Sequence, residues 1–460
     1  MLHRNALCAV ALLTFSGFAL ALDIGFESFV SASASDNVQG ANAGSEEEGQ
    51  VGYAQFGVFG EQKGTVVRGA FAGELYSRKQ LDNPDDEFSG VTQFLGAAEI
   101  KITPRALSWY VGDILGGVRT DDALQPIDDL ENTRRNVFAT GPRFQYDIDA
   151  FSRVNARFLY VNQTQNDVDL ETLYNTSASW EIDTSSGNTW GLQLANIFTD
   201  HAASTEDEDF NRFSLSGFWR RERGRNEYEA AVGGTRYDVE QQSLDGANAR
   251  FTFRRRLTQQ TNFSVSLTRD LRDQTLTAVE SLLTDGTGRQ ASGDGFFDET
   301  RADVRYDFTS EATTFDVGVG IGSADFRLLS NAGGQAFNGN LEDRTNLYAS
   351  ASYGYRFNTR NRILTSVSLE AQDYTNREDN TQSVLGVAQY IRRLGRSFEL
   401  ELGYRVSVSE GLQTRAVTDS TDRVEEDIDI TENRVTIGLR WAPPTRASRD
   451  LTIELNSLLQ

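Results

Sequence analysis

Along most of this chain, side chains alternate in character over short stretches. From Arg301 to Phe308, Ala302, Val304, Tyr306 and Phe308 interleave with Arg301, Asp303, Arg305 and Asp307. Phe398, Leu400, Leu402 and Tyr404 alternate in the same way with Glu399, Glu401, Gly403 and Arg405. Val435, Ile437, Leu439 and Trp441 alternate with Thr436, Gly438 and Arg440, and Val154, Ala156, Phe158 and Tyr160 with Asn155, Arg157 and Leu159. Neighbouring side chains of a β-strand point to opposite faces, so a period of two predicts strands with one apolar and one polar face.

The connectors alternate as well. Tight turns fall near Glu61 to Gly64, Pro104 to Ala106, Ile148 to Ser152, Thr184 to Gly187, Arg223 to Arg225, Thr258 to Gln260, Ser310 to Glu311, Asn358 to Asn361 and Gly395 to Arg396. Between them lie mostly longer connectors: Ser35 to Gly49, Lys79 to Gly90, Gly116 to Arg134, Asp200 to Glu208, Leu271 to Asp298, Arg327 to Leu341 and Glu410 to Ile428. Shorter ones near Asn166, Glu240 and Thr375 occupy the same side of the series. A soluble sandwich would turn its apolar set toward a second sheet, whereas a barrel turns it toward lipid, with tight turns at one rim and longer loops at the other. The pattern therefore predicts an all-β fold, a transmembrane antiparallel up-and-down β-barrel of about twenty strands (roughly 18 to 22) with periplasmic termini. Trp109, Trp180, Trp190, Trp219 and Trp441 all fall near a tight turn or the final strand end, where an aromatic belt marks a membrane interface.

Two stretches leave alternatives open. Within Leu271 to Asp298, Thr277 to Leu283 fits a helical turn folded into the lumen, a further hairpin making twenty-two strands, or a soluble excursion. After Trp441 the chain continues to Gln460, with Leu451, Ile453 and Leu455 weakly alternating, so residues 443–460 read as a periplasmic tail or an extra terminal strand.

Composition narrows the setting. Hydrophobic residues make up 38% of 460, and past the N-terminus none of their runs approaches the roughly 20 residues a membrane helix needs, which excludes a helical membrane protein. Residues 1–21 read as a cleaved secretory signal: Arg4, an apolar run from Ala6 to Leu20, and the small-x-small site Ala19-Leu20-Ala21. Cleavage would leave a barrel over 22–442, placed in the Gram-negative outer membrane, and would remove Cys8, Met1 and His3. A net charge of −23 speaks against a nucleic-acid partner. Basic residues are 41 arginines against the three lysines Lys63, Lys79 and Lys101, a choice that suits forked pairing with carboxylates in a confined interior, or simply a coding bias.

Candidate chemistry is sparse. One histidine, His201, survives signal removal, beside Ser204 and Glu206; a hydrolase would have to depend on it, and one histidine cannot build a histidine-rich metal site. No catalytic, cofactor or metal residues are assigned. Gly318, Gly320 and Gly322 alternate with Val317, Val319 and Ile321 inside a strand, which predicts a small-residue stripe on the inner wall or a bend rather than a nucleotide loop. Acidic clusters at Glu46 to Glu48, Asp82 to Glu87, Asp121 to Glu131, Glu206 to Asp209 and Asp419 to Asp429 read as solvated loops, with cations shared with lipopolysaccharide or a structural and adhesive surface as rivals. The functional surface expected is the inward-facing charge: Arg68, Glu74, Glu99, Arg143, Arg157, Arg250, Arg254, Arg301, Asp303, Arg305, Glu399, Glu401, Arg405 and Arg440. Such rings either select permeating solutes by sign or fill the lumen as a wall-to-wall salt-bridge network.

Three short runs carry a family resemblance: Ser33-Ala34-Ser35-Asp36-Asn37-Val38, Leu107-Ser108-Trp109-Tyr110-Val111-Gly112-Asp113, and Gly141-Pro142 within Asn136 to Phe144. In these the chain resembles the type 2 β-barrel porin family, outer-membrane proteins associated with exopolysaccharide and PEP-CTERM systems. The resemblance implies a porin-like channel, or the outer-membrane conduit of an exopolysaccharide export system. Outer-membrane lipid and lipopolysaccharide, the barrel-assembly machinery and polysaccharide-export components are the partners expected.

Overall fold

The structure is a computed structural model that describes residues 22–37, 48–82, 89–115, 135–165, 168–184, 187–201, 209–239, 242–273, 296–327, 343–374, 380–416 and 423–443. The expected signal, most of the acidic loop stretches, Thr277 to Leu283 and the segment after residue 443 lie outside the described residues.

Twenty strands follow one another: β1 Leu22–Ser35, β2 Gly49–Lys63, β3 Val67–Gln80, β4 Ser89–Thr103, β5 Leu107–Leu115, β6 Arg135–Asp147, β7 Ser152–Gln165, β8 Val168–Asp183, β9 Asn188–His201 and β10 Phe210–Arg223. The series continues with β11 Asn226–Val239, β12 Gln242–Arg256, β13 Thr261–Asp273, β14 Phe296–Thr309, β15 Thr313–Arg327, β16 Arg344–Arg356, β17 Asn361–Tyr374, β18 Asn380–Arg393, β19 Phe398–Ala416 and β20 Arg423–Trp441. Each strand pairs antiparallel with the next, and β1 also pairs with β20 from Ser28–Trp441 to Ser35–Arg434, closing the sheet. Closure leaves no free edge, the condition for placing strands in lipid.

Past the first, the tight turns lie where the sequence puts them, several of them held by local side-chain bonds. The Asn358 side-chain oxygen accepts the N–H groups of Arg360 at 2.9 Å and Asn361 at 3.0 Å, and Asp149 accepts the Phe151 N–H at 2.7 Å. Such bonds mimic a backbone turn and let the chain reverse in a few residues. Gly187 and Gly224 take positive φ values of 72° and 62°, which a side chain would resist. The first turn falls at 64–66 rather than Glu61 to Gly64, because the β2–β3 ladder runs to Lys63–Arg68.

Register splits the residues into two faces. Ala302, Val304, Tyr306 and Phe308 share one face with Leu267, Val265 and Phe263 of β13 and with Ile321, Val319, Val317 and Phe315 of β15. This face is exposed and apolar around the barrel, with Val232 at 69% and Val30 at 59% exposure. The other face carries the charges.

Three connector assignments are corrected. The stretch Glu410 to Ile428 is mostly strand: β19 and β20 stay paired to Ala416–Arg423, so acidic residues including Asp427 and Asp429 extend a tall hairpin rather than a loop. Likewise β13 runs to Asp273 and β14 starts at Phe296, trimming the connector expected over Leu271 to Asp298. His201 is the last residue of β9, paired with Glu171, and not a loop residue.

Candidate functional site in the barrel lumen

Cross-strand pairs carry one face continuously around the wall. Arg68 pairs with Glu99, Glu99 with Tyr110, Arg143 with Arg157, and Arg157 with Ser177. Arg250 pairs with Thr268, Arg254 with Ser264, Arg301 with Gly322, Asp303 with Gly320 and Arg305 with Gly318. Glu399 pairs with Arg440, Arg405 with Arg434, and Glu74 with Gly57. The fourteen charged residues singled out from the sequence therefore stand on the face opposite the exposed apolar one.

Many of them pair within the wall. Arg440 donates to Glu401 at 2.7 Å and to Glu27 at 3.3 Å. Arg305 bonds Asp316 at 2.7 Å and Asp307 at 3.1 Å, and Arg254 bonds Glu227 at 3.2 Å. Arg301 bonds Asp303 at 3.0 Å and stacks 4.8 Å from the centre of the Tyr348 ring. That ring lies against Gly320, where an added Cβ would overlap it. Gly320 thus leaves room for an aromatic side chain on the inner wall, consistent with the small-residue stripe expected there.

Near the long-connector rim the inner face changes character, which the alternation alone did not reveal. Leu159, Val161, Leu173, Ile197, Phe210 and Tyr237 point inward yet are almost completely buried. Part of their cover comes from the wall itself. The β12–β13 ladder stops at Ala249–Arg269, leaving Gln242 to Asn248 unpaired with β13. Above that point β13 leans across the inner side of β12: Leu271 sits where a Cβ on Gly246 would collide with it, Tyr237 Oη donates to the Leu271 carbonyl at 3.4 Å, and Arg212 bonds Asp270 at 2.8 Å. Phe296 at the start of β14 packs on Tyr237 at 4.8 Å and Phe210 at 5.6 Å between ring centres. On this side the inner face is thus roofed by the leaning upper ends of β13 and β14. The sequence signal was present in the apolar residues at inward positions, Leu159, Val161 and Leu173, but a strand's period does not say what covers it.

Below the roof lies a recess of about 590 Å³ with polar lining that includes Arg143, Arg157, Asn155, Ser177, Ser179 and Arg250. His201 lies at the roof's edge, its Nε2 3.7 Å from Glu171 and its ring 5.9 Å from Phe210, with Asp209 accepting its backbone N–H at 2.7 Å. Expected within the connector from Asp200 to Glu208, the His201 side chain instead stands at a strand end, 7% exposed and facing a carboxylate. Ser204 and Glu206 lie outside the described residues.

Closed pairing, an apolar outside and a charged inside define the class: a transmembrane antiparallel β-barrel. Comparison with known protein families finds no match for the chain, and comparison with curated proteins finds none either. Among solved structures it is similar to the siderophore receptor PirA from Pseudomonas aeruginosa, at 9% identity, TM-score 0.49, covering 91% of this chain and 80% of that one. It is similar to the FrpB iron transporter from Neisseria meningitidis, at 10% identity and TM-score 0.46, covering 94% and 83%. It is also similar to Pseudomonas aeruginosa OccK2 in complex with glucuronate, at 12% identity and TM-score 0.41, covering 92% and 98%.

Proposed function

We propose that the barrel stands in an outer membrane and passes polar solutes through its lumen as a porin-like channel. The observation that carries this reading is a pair of aromatic belts on the outer face. Toward the tight-turn rim, Trp190, Trp219, Tyr228, Phe253 and Phe263 follow one another across β9 to β13 with ring centres 5.0 to 6.4 Å apart. Toward the other rim, Tyr160, Tyr174 and Phe198 do the same at 5.6 and 6.1 Å. On β9, Trp190 and Phe198 are eight residues apart, about 27 Å along the strand at ~3.4 Å per residue, or about 20 Å of height at a tilt of roughly 40°. That approaches the apolar band of an outer-membrane barrel, about 25 Å between its aromatic girdles. Above the upper belt the outer face turns polar, with Arg236 and Asp238 ion-paired at 2.8 Å.

Purified, refolded protein should conduct ions in a planar bilayer, with conductance below that of an unroofed barrel of this strand number. A folded, heat-modifiable barrel silent at every voltage would overturn the channel reading. The narrower role of polysaccharide-export conduit rests on the three short runs that resemble the type 2 porin family. It predicts that deleting the gene shortens or reduces surface polysaccharide, and unchanged polysaccharide would remove it.

A further inference from the structure

Arg143 on β6 and Arg157 on β7 are direct cross-strand partners on the inner face. Like charges placed opposite one another in a ladder repel; at another such inner-face pair, Arg405 with Arg434, Glu432 accepts from Arg434 at 2.8 Å. Here Arg143 makes no ion pair among the described residues, and both arginines open into the recess. Next to this pair the β6–β7 ladder keeps its register but skips Gly141 and Pro142, passing from Thr140–Tyr160 to Arg143–Arg157.

From this pair two rows of small or polar residues run along the wall. One passes through Ser177, Ala195 and Ser214; the other through Asn155, Ser179, Gln193, Ser216, Gly233 and Asn248. Beside the far end stands Arg250, paired with Ala231 and 3.9 Å from Glu229. From β7 to β12 the trough crosses five strand spacings, about 24 Å at ~4.8 Å each. Asp270, bonded to Arg212, and Arg272, bonded to Glu299 at 3.1 Å, close it above.

We propose that this trough is a binding site for an acidic, hydroxyl-rich solute, a sugar acid or short acidic oligosaccharide, whose carboxylate sits between Arg143 and Arg157. Guanidinium groups match a carboxylate with forked, charge-assisted hydrogen bonds. Hydroxyl and amide side chains both donate and accept, as sugar hydroxyls require. An anion between the two arginines would also offset the repulsion that their pairing creates. The proposal deepens the channel reading by naming what the lumen would hold.

The test measures binding separately from passage. Isothermal titration of the detergent-solubilised barrel with trigalacturonate, and with neutral maltotriose as control, reads the site without needing conductance; bilayer recordings with the same sugars read passage. The acidic trimer should bind at least tenfold more tightly than the neutral one. The double variant Arg143→Gln and Arg157→Gln should lose tenfold or more for trigalacturonate and little for maltotriose, while Arg236→Gln on the outer face of β11 should bind as the parent does. Heat-modifiable mobility checks that each variant is folded, and the single variants serve if the double one is not. Equal affinity for both sugars, or unchanged affinity in the folded variants, would overturn the site. Binding with the expected variant loss but no conductance would support the site and remove the channel reading instead.

Discussion

Arg440 on the last strand donates to Glu27 on the first at 3.3 Å, joining residues 413 positions apart across the seam that closes the barrel. The same guanidinium bonds Glu401 of β19 at 2.7 Å and lies 5.1 Å from the centre of the Phe29 ring. Higher on the seam, Glu432 accepts from Ser35 Oγ at 2.9 Å and from Arg434 Nε at 2.8 Å. Closure of the sheet thus rests on charge-assisted bonds as well as on a ladder of eight residue pairs.

Replacing Arg440 with Met leaves two largely buried carboxylates without their shared cation. Removing one partner of a buried pair costs about 3 kcal/mol or more. The barrel should therefore unfold at lower temperature in a gel-shift assay, and Arg440→Lys should recover only part of the loss because it cannot bond both carboxylates in a forked geometry.

At the upper end of the seam, just beyond β1, Asp36 accepts from the Asn433 backbone N–H at 2.6 Å and from its side-chain amide at 2.7 Å. Partial burial pushes the carboxyl up, but these bonds outweigh it and hold the group below its ordinary value of 3.8. A lowered folded-state value means the group's contribution is present above pH 3.8 and is lost as pH falls through the lower folded value. Amide exchange at Asn433 should accelerate in that acid window, and Asp36→Ala should exchange fast at every pH.

Val367 faces outward at the middle of β17, while Ser366 beside it faces the lumen. Arginine on the lipid side of a barrel costs about 2 to 4 kcal/mol at mid-depth. Val367→Arg should impair folding into bilayers, and Ser366→Arg should fold with near-parent yield; equal behaviour of the two would contradict the assignment of faces.

Gly320 holds the Tyr348 ring that Arg301 bonds at 2.9 Å. Gly320→Val should displace the ring and cost about 1 to 3 kcal/mol, as overpacking does. Denaturant midpoints of Gly320→Val and Tyr348→Ala would check this: combined, the two changes should cost less than their sum.

Phe296 is buried on Tyr237 and Phe210 in the roof. Phe296→Ala should lower stability by about 3 kcal/mol and raise single-channel conductance as the folded-in top of β13 and β14 loosens. A stable variant with parent conductance would mean that the roof does not narrow the path.

The fold was legible in the sequence because a strand's side-chain period is short and local. Ala302 to Phe308 declare their face within seven residues, and Asn358 or Gly224 declare a turn by their own chemistry. Strand order needed nothing more, since each strand pairs with its neighbour in sequence. Beyond that reach stood everything that depends on distant residues meeting: the Arg440–Glu27 seam, the lean of β13 over β12, the burial of His201 against Glu171, and the extension of β19 and β20 through an acidic stretch that local composition marks as loop. The sequence by itself determined which residues face in and which face out. Only the tertiary structure decided how much of the inward face is roofed and where two arginines are brought opposite each other, because closure sets which side chains converge across the lumen and a period of two carries no information about distance.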